Sequence, residues 1–179
     1  MKRLLFGFTA VAVMAISLSC SKTKEKVNDA TEFTMDYSTE VAIPSRTINL
    51  NVPIEVTSPE VKTLSTARFI AEGTTQALVE EILMTKFTVS NLVGNLDFLK
   101  SFSIAIVADN LPDVIIAGKS NIPAGTTSVS ADLSAVNIKD HIFKEAVRFK
   151  VSVTINGALA ADQQLKIEQS VAVKGKKIK

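Results

Sequence analysis

Apolar and polar residues alternate one by one along much of this chain after residue 31. In the first run the apolar side chains stand at odd positions from Phe33 to Ile43, and in the second at even positions from Ile48 to Val56. Successive side chains of a strand point to opposite faces of a sheet, so this period of two predicts half-buried strands. Pro53 lies off the apolar register of the second run, which predicts an edge strand or a bulge there.

Further alternating or apolar runs predict strands at 83–89, 102–108, 114–117, 129–133, 147–155 and 165–173. Asn156-Gly157, between the last two runs, is a strong signal for a type I′ turn, so these two strands are expected to pair as an antiparallel hairpin. Residues 74–81 predict a short helix capped by Thr75, and residues 138–143 predict a helical turn.

This succession of elements predicts a mainly β fold. Roughly seven to nine short strands with turns every ~8–12 residues are typical of an antiparallel β-sandwich, immunoglobulin-like in the broad sense, here with one or two short helices. A lipocalin-like β-barrel is the alternative. We expect a single β-sandwich domain at 32–174, preceded by a flexible tether at 20–31 and followed by a basic tail at 175–179.

The first 19 residues have the order of a signal peptide. Basic Lys2 and Arg3 precede an apolar run at 4–16, which is shorter than the roughly 20 residues of a membrane-spanning helix. Ser17-Leu18-Ser19 then leads to Cys20, the only cysteine, and resembles the lipobox of bacterial lipoproteins. That resemblance implies cleavage before Cys20, a diacylglyceryl group on its thiol and an acylated (palmitate-type) amine. The alternative is an ordinary secretory signal followed by an incidental cysteine.

The composition of the chain after signal cleavage excludes some classes of binding partner. Removing residues 1–19 takes away two of the 20 basic residues and leaves basic and acidic residues equal in number, at 18 each. A neutral chain with no tryptophan and one tyrosine has neither the charge nor the exposed rings that nucleic-acid binding uses, so no nucleic acid is expected. A lipidated Cys20 also leaves no thiol for a disulfide.

No pattern of reactive residues predicts catalysis, a metal site or a cofactor. His141 is the only imidazole, and we expect it on a helical turn beside Asp140 rather than as a catalytic base. The segment 109–113 is the nearest candidate for calcium, although Asn-Leu-Pro-Asp is also good turn chemistry. Four aromatic side chains are expected to fill the core, with an apolar ligand pocket as the alternative: Phe98, Phe102, Phe143 and Phe149.

Two segments resemble a group of small uncharacterised β-sandwich lipoproteins common in Bacteroidota. They are 96–104 (LDFLKSFSI) and 136–142 (VNIKDHI), followed by the closing strands. The resemblance implies export and a sandwich fold, and it transfers no catalytic residue. Lipoproteins exposed on the cell surface in that phylum often carry acidic residues after the cysteine, whereas Lys22 and Lys24 stand here. This favours the outer membrane with the domain facing the periplasm, with the cell surface as the alternative.

The sequence therefore predicts a lipid-anchored, non-enzymatic envelope protein, held at the membrane through Cys20. Its partner is expected to be a protein or another envelope component, bound at an exposed strand edge or at the loops of one end. A carrier or sensor of an apolar ligand between the sheets is the alternative, and an enzyme acting through carboxylates is the third hypothesis.

Overall fold

The computed structural model describes residues 30–47 and 52–178, which fold into two antiparallel sheets with two short helices. The strands are β1 (Ala30–Ile43), β2 (Ile54–Thr57), β3 (Val61–Lys62), β4 (Val79–Asn91), β5 (Leu99–Val107), β6 (Val114–Ser120), β7 (Ser128–Ser130), β8 (Asp132–Leu133), β9 (Ala146–Ile155) and β10 (Gln163–Lys176). The helices are α1 (Ser65–Ala71) and α2 (Lys139–Ile142), and a 3₁₀ turn spans Gln76–Leu78.

The strand order defines the two layers. Sheet one has the order β1-β10-β4-β7, and sheet two has the order β2-β9-β5-β6-β8, with β3 also paired to β9. Each sheet keeps its own edges instead of closing on itself. The predicted antiparallel β-sandwich with one or two short helices is therefore confirmed, and the lipocalin-like alternative is wrong.

The core lies between the two sheets and is built from every second residue of the long strands. In β10 the buried odd positions run from Leu165 to Val173, and in β9 they run from Val147 to Ile155. The even positions of both strands stay partly or fully exposed. Each large apolar side chain buried in this way contributes about 1.5–3 kcal/mol, so the alternation itself supplies the main driving force for the sandwich.

The hairpin predicted at Asn156-Gly157 is wrong. β9 pairs with β5, β2 and β3, whereas β10 pairs with β1 and β4, so residues 156–162 cross from sheet two to sheet one. Neither Asn156 nor Gly157 has the positive φ that a type I′ turn requires. The Asn156 side-chain amide instead donates to the carbonyl oxygens of Asp97 (2.9 Å) and Leu99 (3.3 Å), which holds the end of β9 in sheet two.

The helix predicted at 74–81 is also wrong. Only a 3₁₀ turn forms there, Thr75 makes no capping hydrogen bond with its side chain, and β4 begins at Val79. Val79 and Ile82 are buried in the core, and this tertiary burial outweighs the local preference for a helix. The helical turn predicted at 138–143 is confirmed as α2.

The strand predicted at 129–133 is divided between the two sheets. β7 pairs with β4 in sheet one, and β8 pairs with β6 in sheet two. Ala131 lies between them and donates its backbone N–H to Phe87 in sheet one (2.9 Å). Of the strand predicted at 48–56, residues 48–51 lie outside the described residues, and β2 begins at Ile54, just after Pro53. β2 lies at one edge of sheet two, as Pro53 indicated.

The described chain enters and leaves the sandwich at one end, and three connecting segments lie at the other end. At the Ala30 end, the start of β1 lies opposite Lys176 near the end of β10, so the described chain enters and leaves side by side. At the Asn91 end, β4 finishes opposite Leu165 and the chain turns through the segments 92–98, 121–127 and 156–162. β1 therefore runs from the Ala30 end toward the Asn91 end.

Candidate functional site

The ionisable side chains considered for catalysis or metal binding, His141 and Asp113, are engaged in contacts within the fold. His141 is buried at the first turn of α2, and its Nε2 lies 3.0 Å from the carbonyl oxygen of Pro112, to which an Nε2–H donates. Lys150 and Asp113 form an ion pair, and Asn110 has the positive φ (62°) of a turn residue. In the part of the chain that the structure describes, no three His, Cys, Asp or Glu residues cluster as metal ligands would.

The four aromatic residues considered for an apolar pocket lie at different levels of the sandwich. Phe102 of β5 lies opposite Val153 of β9, whereas Phe149 of β9 lies opposite Ile106 of β5. Ile106 is four residues beyond Phe102, so the two phenylalanines are about 13 Å apart along the strands. Phe98 lies just before β5 at the Asn91 end. Phe143 lies beyond the other end of β9 and packs edge-on against Phe69, with ring centroids 5.9 Å apart. The four rings therefore do not line a common pocket.

The predicted anchor, Cys20, lies outside the described residues, as do the signal peptide and most of the tether. Within the described ranges, no helix has the length and apolar character needed to cross a bilayer. The first described residue, Ala30, is the tenth after Cys20. At about 3.3 Å per residue, the intervening chain spans at most ~33 Å, which bounds the distance from the anchor to the sandwich.

The most distinctive surface is the free edge of β1. This strand pairs with β10 over all of its 14 residues on one side. On the other side it has no strand partner among the residues that the structure describes. Alternate residues of a strand turn their N–H and C=O groups to the same side, so about half of β1 presents unpaired backbone groups along ~45 Å of edge. Such an edge can accept an additional strand.

Two hollows follow this edge where sheet one faces β2 and β3 of sheet two. The hollow nearer the Ala30 end, with a volume of about 360 Å³, is lined by Thr34–Tyr37, Lys62–Leu64 and Arg68. The hollow nearer the Asn91 end, of about 630 Å³, is lined by Glu40–Ala42, Pro44, Val56–Thr57, Pro59 and Gln164. We call the free edge and these two hollows the β1 cleft. Side chains of an added strand that point inward would enter them.

Tyr37 links the two sheets in the middle of this cleft. Its hydroxyl donates to the carbonyl oxygen of Thr63, immediately after β3, at 3.1 Å. Thr63 is itself held to the segment just before β9, because its N–H donates to the carbonyl oxygen of Glu145 (2.9 Å) and its hydroxyl donates to the carbonyl oxygen of Lys144 (2.5 Å). Burial raises the pKa of Tyr37 well above its ordinary value, so the phenol stays neutral. Hydrogen bonds within the protein therefore hold the floor of the cleft at this point.

Sequence reasoning proposed an exposed strand edge as the contact surface but could not say which strand provides it. The signal used for edges was Pro53, and it points to β2. The 30–43 segment contains no proline, and its odd apolar and even polar positions would look the same in a central strand with one wet face. The edge position of β1 follows from which strands pair with it, and a single sequence does not show that.

Two of the three comparisons with known proteins find no match, and the comparison with solved structures finds distant ones. No protein-family model matches it, and no curated protein matches it. A chain of Cocksfoot mottle virus matches with a TM-score of 0.31 and 12% identity, covering 98% of this chain and 97% of that chain. A chain of Desmodium yellow mottle tymovirus matches with a TM-score of 0.25 and 9% identity, covering 99% and 97%. TM-scores this low support no argument about fold or function.

Proposed function

We propose that this chain is a lipid-anchored envelope protein that binds another protein without catalysing a reaction, and that the free edge of β1 is its binding surface. The observation that supports the proposal is the length of that edge: all 14 residues of β1 lack a strand partner on one side among the described residues. An edge of this length offers main-chain hydrogen bonds for affinity, and the adjoining hollows offer selectivity for side chains.

The direction of β1 fits an anchored binding protein. The chain leaves a lipidated Cys20 and enters the sandwich at Ala30, so β1 starts at the end that the tether holds near the membrane. The free edge then leads away from the bilayer, where a partner can reach it. In our proposal the membrane is the outer membrane and the domain faces the periplasm, as the basic residues Lys22 and Lys24 suggest.

Two measurements test the anchor and the location. Fatty-acid labelling is expected to mark the wild-type protein and not the Cys20→Ala variant. Protease added to intact cells is expected to leave the domain uncut, and lysis is expected to expose it. An unlabelled wild-type protein would overturn the lipid anchor, and cleavage on intact cells would place the domain on the cell surface instead.

Site-specific photo-crosslinking in the producing cells tests the binding surface. A photoreactive residue at the exposed position Thr34 of β1 is expected to capture a discrete protein partner. The matched control is Ser103 on the solvent side of β5 in sheet two, which is expected to capture none. Capture at both positions alike, or at Ser103 alone, would count against the β1 edge as the binding surface.

A further inference from the structure

The outward face of β1 carries a row of carboxylates at a spacing of four residues. Glu32, Asp36 and Glu40 are all exposed on the solvent side of sheet one. Because residues of the same parity share one face of a strand, the three groups form a line of about 27 Å directly beside the free edge. A strand added to this edge would place its own outward side chains next to them.

The neighbouring strand leaves two of these carboxylates without a counter-ion. Lys166 and Lys174 stand opposite Glu40 and Glu32 in the β1–β10 register. Lys166 instead pairs with Glu168 of its own strand at 2.8 Å, and Lys174 lies 3.9 Å from Glu81 of β4. Among the described residues, neither Glu32 nor Glu40 has a cation within 4.0 Å.

The middle carboxylate, Asp36, differs from the other two in having a hydrogen-bond donor. Asp36 accepts a hydrogen bond from the Ser170 hydroxyl at 2.5 Å, which holds its side chain in place. Among the residues that the structure describes, the row therefore has two carboxylates without an ion pair at its ends and one oriented carboxylate at its centre. This arrangement would favour positive side chains at the outward positions of an added strand.

The inward positions of an added strand would meet a different environment. The hollow nearer the Asn91 end is lined mainly by apolar groups, including Val56 and Pro59. The wall of the other hollow carries Lys62 and Arg68, and Arg68 is already paired with Glu72 at 2.9 Å. Lys62 would repel an inward cation in that hollow, and the apolar lining of the hollow nearer the Asn91 end disfavours a charge of either sign. We therefore expect uncharged, mostly apolar residues at the inward positions of a partner strand.

We propose that the β1 cleft binds an extended protein segment whose outward side chains are basic and whose inward side chains are uncharged and mostly apolar. The segment adds to sheet one as a further strand beside β1. This inference rests on the proposed function, since it names the chemistry of the partner that the β1 edge binds. A second copy of this chain is the less suitable occupant, because β1 would then bring its own carboxylate row against itself.

Two synthetic peptides test the charge rule. Both are 12-residue extended peptides with valine at alternate positions, and the residues between carry lysine in one peptide and glutamate in the other. The probe is ¹⁵N-labelled protein from residue 20 with Cys20→Ser, observed through its backbone amides at low salt. The lysine peptide is expected to shift the amides of β1 and to bind about tenfold tighter than the glutamate peptide, a few-fold for each exposed charge pair. Added salt is expected to reduce this difference.

Charge-reversed variants provide the matched controls. The double variant Glu32→Lys and Glu40→Lys is expected to prefer the glutamate peptide. The double variant Asp109→Lys and Asp140→Lys makes the same change in net charge at exposed positions away from β1, and it is expected to keep the wild-type preference. A preference that follows net charge in both variants would overturn the assignment to β1.

The remaining outcomes distinguish the preference for basic outward side chains from the proposed function, which requires only that β1 is a binding edge. Equal shifts of β1 amides by both peptides would leave β1 as a binding edge and overturn the charge rule. No shift of β1 amides by either peptide would remove the edge as a binding site, and with it the proposed function. Concentration-dependent dimerisation through β1, detected by sedimentation, would replace the proposed occupant with a second copy.

Discussion

A single buried side chain, Gln169 of β10, provides a quantitative test of how this core is packed. It is 2% exposed and points between the sheets, with Tyr37 of β1 and Phe87 of β4 as its register neighbours. Both its amide nitrogen and its amide oxygen are buried without a hydrogen-bond partner among the described residues. We expect the substitution Gln169→Met to stabilise the protein, because methionine fills a similar volume without a polar group.

The expected gain follows from the cost of burying an unpaired amide. Protein substitution data place that cost at about 1–3 kcal/mol. A change of shape at constant volume costs less than ~1.5 kcal/mol, so the net gain in unfolding free energy is expected to be about 1–2 kcal/mol. For a domain of this size, each kcal/mol raises Tm by roughly 2–4 °C, which predicts an increase of ~2–8 °C.

Urea unfolding of wild type and variant measures this difference. Gln164→Met is the matched control, because Gln164 lies on the same strand but faces solvent, and its free energy of unfolding is expected to change by less than ~0.5 kcal/mol. If Gln169→Met proves less stable than wild type by more than about 1 kcal/mol, the amide must be hydrogen-bonded in the folded protein. The reasoning from an unpaired amide would then be refuted.

Two further predictions concern backbone packing and alkaline pH. A Cβ added at Gly175 would lie 2.7 Å from the carbonyl oxygen of Leu78, so Gly175→Ala is expected to lose about 1–3 kcal/mol in urea unfolding. A Cβ added at Gly157 would meet no atom within 4 Å, so Gly157→Ala is expected to leave the free energy of unfolding unchanged or to raise it by up to ~1 kcal/mol. Equal losses of stability at both sites would contradict this explanation from close packing. Burial raises the pKa of Tyr37 above 10.0, so its contribution to stability is complete below pH 10.0 and falls as pH rises above it, by at most ~1.4 kcal/mol per pH unit. Tyr37→Phe is expected to cost ~0.5–1.5 kcal/mol at neutral pH through loss of the bond to Thr63, and to flatten the alkaline decline in stability; an unchanged decline would exclude Tyr37 as its source.

The faces of the long strands could be predicted from the sequence, but their partners could not. In β9 the odd positions from Val147 to Ile155 are buried as the alternation indicates, because the side-chain period of a strand is a local property. Asn156-Gly157 has the residues of a hairpin turn, yet the Asn156 amide donates to the carbonyl oxygens of Asp97 and Leu99 at the start of β5, and the chain crosses to the other sheet. Pairing depends on such long-range contacts, and residue order alone does not contain them.

The start of β4 shows the same limit for local propensity. Thr75 followed by Gln76 and two later glutamates is typical of a capped helix, and the prediction used that pattern. In the structure the chain completes one 3₁₀ turn and then extends as β4, in which Val79 and Ile82 are buried in the core. The helix that does form, α1, begins after Leu64, which has a positive φ (49°) and makes no capping hydrogen bond with its side chain.

The carboxylate row on β1 also bears on the tendency of an open sheet edge to self-associate. A long strand without a partner is prone to pair with a second copy of itself, and charged side chains on the edge oppose this. In the antiparallel register centred on Asp36, Glu32 would face Glu40 and Asp36 would face its own copy. Like charges directly opposite each other destabilise such a pair. The carboxylates that disfavour this self-pairing would attract a basic strand, so one row of side chains would serve both to exclude the wrong partner and to select the right one.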